Sequence, residues 1–163
     1  MNLVYISMGG NLGNVEKTFE KAIEKIQQIG KIIQQSSLYK TSAWGMENAP
    51  DFLNQVLEIE TSLTSEKLLL ELKTFEIELG RNAKTQNEKY ESRIIDLDIL
   101  FFNDDILKND ILEIPHPKIA ERNFILVPLN EISPLKIHPV LKLNINKILK
   151  NSKDKEVVSI KTH

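Results

Sequence analysis

Two aspartates, Asp96 and Asp98, stand two positions apart in the apolar stretch RIIDLDILFF at 93–102. Alternate residues of a β-strand point to the same side, so the Cα atoms of the pair lie about 6.5–7 Å apart. Two ionised carboxylates at that distance repel by about 2–3 kcal/mol at an effective dielectric constant of about 20. Protonation, a basic partner such as Arg93, or a divalent cation would relieve the repulsion, and Mg²⁺ with substrate phosphates suits such oxygen ligands. A strand end that simply reaches solvent is the plain alternative.

A long polar stretch at 81–92 runs directly into the acidic strand. Structureless loops of this length in compact domains are usually lids, binding loops or disordered segments. The stretch carries Arg81, Lys84 and Lys89, and Arg93 follows at its exit. Cations that close over a carboxylate–metal site favour a polyphosphate substrate, whereas a solvated basic loop is the competing interpretation.

Aromatic and amide side chains before the third predicted strand suit a flat heterocyclic ligand. Phe52 and Asn54 share one face of that strand, and Trp44 lies on the loop before it. Aromatic rings around an amide can sandwich a heterocycle and bind its edge, although both aromatics also fit a plain core. The glycine-rich GGNLGN at 9–14 lacks the lysine and hydroxyl of a Walker A loop and indicates a tight turn.

Three further polar residues are candidates for phosphate or nucleotide contacts. His116 lies between two prolines in a rigid extended stretch, where it is either a phosphate contact or a satisfied surface residue. Arg122 is suited to bidentate phosphate binding. Glu76 lies at the edge of the apolar stripe of a predicted helix. Its position alone favours an ordinary boundary residue.

The composition is that of one soluble domain. The chain has 163 residues, is 41% hydrophobic and 27% charged, and has a formal net charge of −2. That charge argues against a general nucleic-acid or anionic-membrane binder. The absence of cysteine excludes disulfides and thiolate chemistry, and no signal peptide or membrane span is predicted. We expect a cytoplasmic, monomeric single domain over 1–163, with a lid at 81–92 and a loosely held polar tail at 151–163.

Hydrophobic periodicity orders the elements that must position these residues as βαββαβ. The pattern predicts strands at 3–8, 31–40, 52–60 and 94–102 and helices ending at Gly30 and Gly80. This order is typical of an α+β, ferredoxin-like core, with an antiparallel sheet and the helices packed on it. C-terminal helical additions follow, with a short helix near 117–121 and another at 140–149, and a short strand at 156–160.

These motifs, in this order, resemble the 6-hydroxymethyl-7,8-dihydropterin pyrophosphokinases, a family of folate-pathway enzymes. The resemblance covers roughly residues 3–135. It depends on GGNLG at 9–13, TSAWG at 41–45, DFLNQV at 51–56, FEIELGR at 75–81, SRIIDLDILFF at 92–102, IPHP at 114–117 and ERNFILVPLNEISP at 121–134.

The resemblance implies a role for each matched residue. The catalytic set comprises Arg81 at the mouth of a mobile loop, Arg93 on the phosphates, and Asp96 and Asp98 as ligands of two Mg²⁺ ions. The pterin site comprises Thr41, Ser42, Trp44, Phe52, Asn54 and Phe124, with Phe52 and Phe124 sandwiching the ring. The ATP site comprises Lys73, Glu76, Arg93, His116 and Arg122.

The chain departs from the family pattern just before the metal strand. KYESR at 89–93 replaces the usual R-W-G-P-R, so Tyr90 stands in place of a tryptophan. The interval between Arg81 and Arg93 is also longer than usual, and Lys73 stands where a glutamine is expected near the adenine. These changes affect the expected closure of the loop more than the expected reaction.

The resemblance therefore implies a Mg²⁺-dependent enzyme that transfers diphosphate from ATP to 6-hydroxymethyl-7,8-dihydropterin and releases AMP. Its partners are these two small molecules, without nucleic acid or membrane. One alternative is another Mg²⁺-dependent nucleotidyl or phosphoryl transferase, which would release ADP or pyrophosphate. The other is a non-catalytic ferredoxin-like binding module, which would show no metal-dependent nucleotide binding.

Overall fold

The computed structural model describes residues 1–42, 50–80 and 94–162. The strands in these ranges are β1 (Asn2–Gly10), β2 (Lys31–Gln35), β3 (Tyr39–Thr41), β4 (Phe52–Thr61), β5 (Asp96–Phe102), β6 (Leu107–Lys108), β7 (Glu113–Ile114) and β8 (Ser159–Ile160). The helices are α1 (Val15–Ile26), α2 (Ser65–Glu78), α3 (Asn123–Ile132) and α4 (Ile145–Lys150), and a single 3-10 turn occupies Ile119–Glu121.

Six strands form one antiparallel sheet. Five of them follow the order β5-β1-β4-β3-β8, and the sixth, β2, pairs with β4 on the same edge as β3 but further along the strand. Strands β6 and β7 form a separate hairpin. The predicted mixed architecture, an antiparallel sheet with packed helices, is confirmed. No helix among the described residues is long and apolar enough to cross a membrane.

Helices α1 and α2 cover one face of the sheet because each combines an N-cap with an apolar stripe. Asn14 accepts a hydrogen bond from the Lys17 N–H, and Thr64 does the same for Lys67. Both stripes are buried in one apolar cluster with β1, β4 and β5: Val15, Phe19, Ala22 and Ile26 from α1, and Leu68, Leu72 and Phe75 from α2.

Helices α3 and α4 cover part of the opposite face, where they form a second cluster with Tyr5, Val56 and Leu100. Helix α3 was not predicted. Its buried residues Ile125, Leu126 and Leu129 have helical spacing, but Pro128 lies inside the helix and reads as a break in the sequence.

The strand predicted over 31–40 is two strands. Strand β2 pairs with β4 at 57–60, whereas β3 pairs with it at 52–54. Between them the Ser36 N–H donates to the Val56 carbonyl at 2.9 Å, and the Ser36 hydroxyl accepts from the Val56 N–H at 3.0 Å. The serine side chain replaces a ladder partner here, which allows the chain to bend.

Strand β5 contains one extra residue relative to β1. Ile6 pairs with Ile99 and Tyr5 with Phe101, so Leu100 is bulged. The bulge sends the two phenylalanines to opposite faces: Phe102 joins the cluster under α1 and α2, and Phe101 joins the cluster on the α3 side. Asp96 and Asp98 lie before the bulge, on the α3 side of the sheet.

Residues near the end of the C-terminal tail contact strand β3 and helix α1. Ser159 and Ile160 form β8 against β3, and the Lys161 N–H donates to the Leu38 carbonyl at 2.8 Å. The Lys161 ammonium also pairs with Glu16 at the start of α1. The predicted strand at 156–160 is thus present, in shortened form.

Candidate active site

Four residues from four adjacent strands form one row across the sheet. Asp96 pairs with Gly9, Gly9 with Asn54, and Asn54 with Tyr39. Neighbouring strands lie about 4.8 Å apart, so the backbones of Asp96 and Asn54 are about 10 Å apart on one face. A carboxylate pair and an amide therefore flank a glycine on this face.

The acidic end of this row is accessible. Asp98 is exposed, whereas Asp96 and the opposing Ser7 and Gly9 are half-buried. The carboxylates supply oxygen ligands only, which fits Mg²⁺ when water and phosphate oxygens complete its shell. Among the described residues no group of three or more His, Cys, Asp or Glu side chains could hold a metal ion. Two carboxylates by themselves supply only part of the coordination shell of Mg²⁺.

Helix α3 seals the other half of the same face. The Tyr5 hydroxyl donates to Glu58 and contacts the Ser133 hydroxyl at 2.7 Å. Burial and the nearby Glu58 carboxylate raise the pKa of Tyr5, so its hydroxyl stays protonated. The substrate-accessible surface is thereby confined to the end of the sheet that carries the acids and the amide.

The predicted pterin-edge residue Asn54 is buried and oriented. Its Nδ2 donates to the Thr41 hydroxyl at 3.3 Å, and the two side chains are only 7% and 4% exposed. Tyr39, beside Asn54 in the row, donates its hydroxyl to Glu131 of α3 at 2.8 Å. Burial, assisted by Glu131, raises the pKa of Tyr39 to about 12, so this donor is retained at neutral pH. Contacts from β3 and α3 thus hold the amide end of the row.

Gly9 keeps the space beside this amide open. A Cβ atom at position 9 would lie 3.3 Å from Asn54 Oδ1, closer than ordinary van der Waals contact. The glycine is needed for this close approach rather than for its backbone conformation.

Gly9→Ala should therefore raise the KM for the pterin alcohol that the resemblance implies about 5-fold, because the Asn54 amide must shift by a few tenths of an ångström. The KM for ATP should change less than about 2-fold, since the acidic end of the row is untouched. Steady-state kinetics with each substrate varied in turn measures both values. Equal changes in the two KM values would contradict this account of Gly9.

The predicted aromatic residues lie at element ends on this face. Phe52 is the first residue of β4 and Phe124 the second residue of α3, and both are half-buried. The Arg122 guanidinium lies 5.5 Å from the centre of the Phe124 ring, a cation–π contact that orients the arginine. Ser42 is exposed just beyond β3, and Trp44 lies outside the described residues.

Glu76 is not an ordinary boundary residue. It is 8% exposed, and its Oε2 accepts the Leu97 N–H at 2.7 Å. Leu97 lies between the two aspartates on β5, which is an outer strand of the sheet. Glu76 therefore fixes the backbone that presents both carboxylates. Lys73, one turn earlier on α2, is exposed.

His116 lies along the same outer edge of β5. Its backbone N–H donates to the Leu100 carbonyl at 2.9 Å, and its ring Nδ1 accepts the Lys118 backbone N–H at 3.0 Å. Burial, with help from the positive charges of Arg122 and Lys118, lowers the pKa of His116 to about 4. The ring is therefore neutral at pH 7 and carries its proton on Nε2, which makes it a hydrogen-bond donor rather than a cation.

This lowered pKa predicts a pH-dependent loss of stability. The unfolded chain takes up a proton on His116 near pH 6.5, whereas the folded chain does so only near pH 4. The contribution of neutral His116 to the free energy of unfolding is fully present above about pH 6.5 and is lost as the pH drops to about 4. After allowance for partial solvent access, the loss is about 1–2 kcal/mol. His116→Asn, whose Oδ1 can still accept the Lys118 N–H, should flatten that loss in urea unfolding at pH 7, 5.5 and 4.5. Proton NMR titration that placed the His116 pKa near 6.5 would contradict the prediction.

A family model described as 7,8-dihydro-6-hydroxymethylpterin-pyrophosphokinase (HPPK) matches residues 5–134, which include this whole row of strands. The chain belongs to the HPPK family. Of the predicted HPPK site residues, the structure places Asp96, Asp98, Asn54, Thr41 and Phe52 at one end of one sheet face, and it places Glu76 and His116 along the edge of β5. Arg81, Arg93, Lys84, Lys89 and Tyr90 lie outside the described residues.

Curated HPPK relatives match most of the chain. It is 40% identical over 142 residues to the 2-amino-4-hydroxy-6-hydroxymethyldihydropteridine pyrophosphokinase of Aquifex aeolicus, covering 87% of both proteins. It is 33% identical over 162 residues to the enzyme of that name from Haemophilus influenzae, covering 98% of this chain and 99% of the relative.

A solved structure of an HPPK-DHPS protein has the same fold. The wild-type Plasmodium falciparum protein matches with a TM-score of 0.73 at 18% identity. The match covers 92% of this chain but 44% of the Plasmodium chain, so the present chain spans less than half of that longer protein.

Sequence reasoning missed two features of this candidate site. It interpreted the glycines at 9–10 as a turn, although Gly9 lies within β1 opposite Asn54. It also did not single out Tyr39 or Glu131, whose hydrogen bond joins β3 to α3. Neither feature leaves a local signal, because each depends on elements distant in sequence.

Proposed function

We propose that this chain transfers the β,γ-diphosphate of ATP to the hydroxymethyl oxygen of 6-hydroxymethyl-7,8-dihydropterin, with AMP as the other product. The observation that carries the proposal is the row Asp96–Gly9–Asn54, in a chain of the HPPK family. The row sets paired acids and a buried amide about 10 Å apart on one accessible face, a spacing suited to a phosphate group at one end and a heterocycle edge at the other.

Asp96 and Asp98 would hold Mg²⁺, with two ions assigned from the family resemblance. When bound, Mg²⁺ neutralises phosphate charge and orients the reacting oxygens. The remaining work belongs to the chain itself. Glu76 holds the Leu97 backbone so that the two acids keep their separation, and Gly9 leaves room for the pterin between them and Asn54.

The pterin would bind at the amide end of the row. Asn54, oriented by Thr41, hydrogen-bonds the edge of the heterocycle, and Phe52 and Phe124 pack on its two faces. Ser42 and Trp44 are assigned to this subsite from the TSAWG motif alone.

ATP would bind along the β5 side. Arg122, in contact with Phe124, and the Nε2–H of His116 would donate to phosphate oxygens. Lys73 and Glu76 are assigned to the nucleotide site by motif. Arg81 and Arg93 are assigned to the phosphates by motif. Both substrates thus meet over β1, between the acids and the amide.

We also assign the core to the ferredoxin-like arrangement, with α3 and α4 as C-terminal additions. The strand order β5-β1-β4-β2, with α1 and α2 packed in one cluster, supports that assignment. A single domain over 1–163, a monomeric state and a cytoplasmic location complete the proposal.

Incubation with ATP, Mg²⁺ and the pterin alcohol, followed by chromatographic separation of nucleotides, tests the function. We expect AMP and pterin diphosphate in equal amounts. ADP or free pyrophosphate as the product would support a different phosphoryl or nucleotidyl transferase. Calorimetry with a non-hydrolysable ATP analogue separates both from a binding module, which would show no Mg²⁺-dependent binding.

A further inference from the structure

Helix α3 obtains its N-terminal cap from a distant part of the chain. Arg122, which precedes the helix, has extended backbone angles and makes no side-chain cap hydrogen bond. Instead, the Asn123 N–H donates to Asp154 Oδ2 at 2.8 Å, and Asn123 Nδ2 donates to the Asp154 carbonyl at 3.0 Å. A residue 31 positions further along the chain therefore satisfies the first backbone donor of α3.

Asp154 is itself held in place. Its Oδ1 accepts the Glu156 N–H at 2.9 Å, and its own N–H donates to the Ser152 hydroxyl at 3.2 Å. The side chain is half-buried, whereas the flanking Lys153 and Lys155 are exposed. A carboxylate at a helix N-terminus also interacts favourably with the helix dipole. The geometry is that of a built cap rather than a chance contact of a tail.

The same tail contacts a second element of the site. Beyond Asp154, Ile160 pairs with Tyr39 and Ser159 with Lys40. Strand β3, which the tail thereby flanks, carries Thr41 and so the hydrogen bond to Asn54. The family model ends at residue 134, so both sets of contacts come from outside the matched part of the chain.

We propose that Asp154 is a positioning residue for substrate binding. Asp154 sets where α3 begins, at Asn123. The two residues on either side of Asn123 are Arg122 and Phe124, which contact each other through the guanidinium and the ring. Loss of the cap lets the first turn of α3 fray and moves the Phe124 ring and the Arg122 guanidinium away from the pterin and the phosphates. This inference rests on the proposed function.

Asp154→Ala tests the proposal, with Asp110→Ala as the control because Asp110 is an exposed aspartate in the turn between β6 and β7. We expect Asp154→Ala to raise the KM values for the pterin alcohol and ATP about 5- to 10-fold, with kcat at saturation changed less than about 3-fold. Asp154→Asn, which keeps an acceptor oxygen, should recover most of that loss. Asp110→Ala should match the wild type.

Hydrogen exchange separates this inference from the proposed function itself. Amides 123–126 should exchange at least about 5-fold faster in Asp154→Ala, while those of α1 and α2 are unchanged, whether or not the protein turns over substrate. If the wild type makes no AMP, the function fails while the exchange result still reports on the cap. Wild-type KM values alongside faster exchange would overturn the positioning role, as would equal losses in Asp110→Ala. If Asp154→Ala does not fold, Asp154→Ser replaces it, because the shorter side chain places its oxygen too far from the Asn123 N–H to cap it. Wild-type KM values and wild-type exchange of amides 123–126 in Asp154→Ser would overturn the positioning role.

Discussion

Asp98→Asn should reduce turnover by about 1,000-fold at saturating Mg²⁺ and ATP. The substitution keeps the shape of the side chain and removes the negative charge of a metal ligand, a charge effect worth several kcal/mol in the transition state. Asp96→Asn should behave alike, because the two carboxylates share one face of β5 before the bulge at Leu100. Product analysis of AMP over time measures the loss.

The stability of the Asp98 variant provides the control. Asp98 is exposed, so the free energy of unfolding of the Asp98→Asn variant in metal-free buffer should stay within about 0.5 kcal/mol of the wild-type value. Mg²⁺-dependent binding of a non-hydrolysable ATP analogue should weaken in calorimetry, while Asp110→Asn should leave it unchanged. A large loss of stability without metal would show that the acids have a structural role.

Asn54→Leu should lower kcat/KM for the pterin alcohol by about 100-fold or more. Leucine has a similar shape but cannot hydrogen-bond, so the polar edge of the bound heterocycle would lose its buried partner. Asn54 lies about 10 Å from the acidic end of the row, and the KM for ATP should therefore change less than about 3-fold. Kinetics with each substrate varied at saturating concentrations of the other measures the two effects.

Thr41→Val is the matched control for Asn54. Thr41→Val keeps the Asn54 amide but removes the hydroxyl that accepts a hydrogen bond from Asn54 Nδ2. The fall in kcat/KM for the pterin alcohol should therefore be about 10-fold rather than 100-fold. Both variants should retain most of their stability, because only one hydrogen bond is lost in each. A KM for ATP that rises as much as the KM for the pterin would show that Asn54 does not distinguish the two subsites.

Local patterns predicted the elements whose signals are contained in a short stretch. The cap at Asn14 and the stripe from Val15 to Ile26 are enough to predict α1, and strict alternation around Leu97 is enough to place two carboxylates on one face of β5. The confirmed antiparallel sheet with packed helices follows from the order of such elements.

Features that depend on long-range packing could not be predicted. A helical wheel places Glu76 at the edge of a stripe, and only the packing of α2 against β5 brings its carboxylate to the Leu97 N–H. The pairing of Gly9 with Asn54 likewise depends on the register of strands some 45 positions apart. The Asp154 cap joins residues that no periodicity connects. Pro128 additionally hid α3, because the sequence signal of proline does not show whether a helix tolerates it.

Because Leu100 is an extra residue, the side chains of β5 before it and those after it alternate out of step with each other along the sequence. The outer half must present Asp96 and Asp98 to solvent-borne ligands, and the inner half must bury Phe101 and Phe102 in separate clusters. Loss of Leu100 alone would leave the pairs on both sides of the bulge in place, whereas loss of a second residue would shift Asp96 and Asp98 by one position against β1 and turn them to the face covered by α1 and α2. The strand can therefore lose its bulged residue, but no further one, without separating the two acids from the row that they form with Gly9 and Asn54.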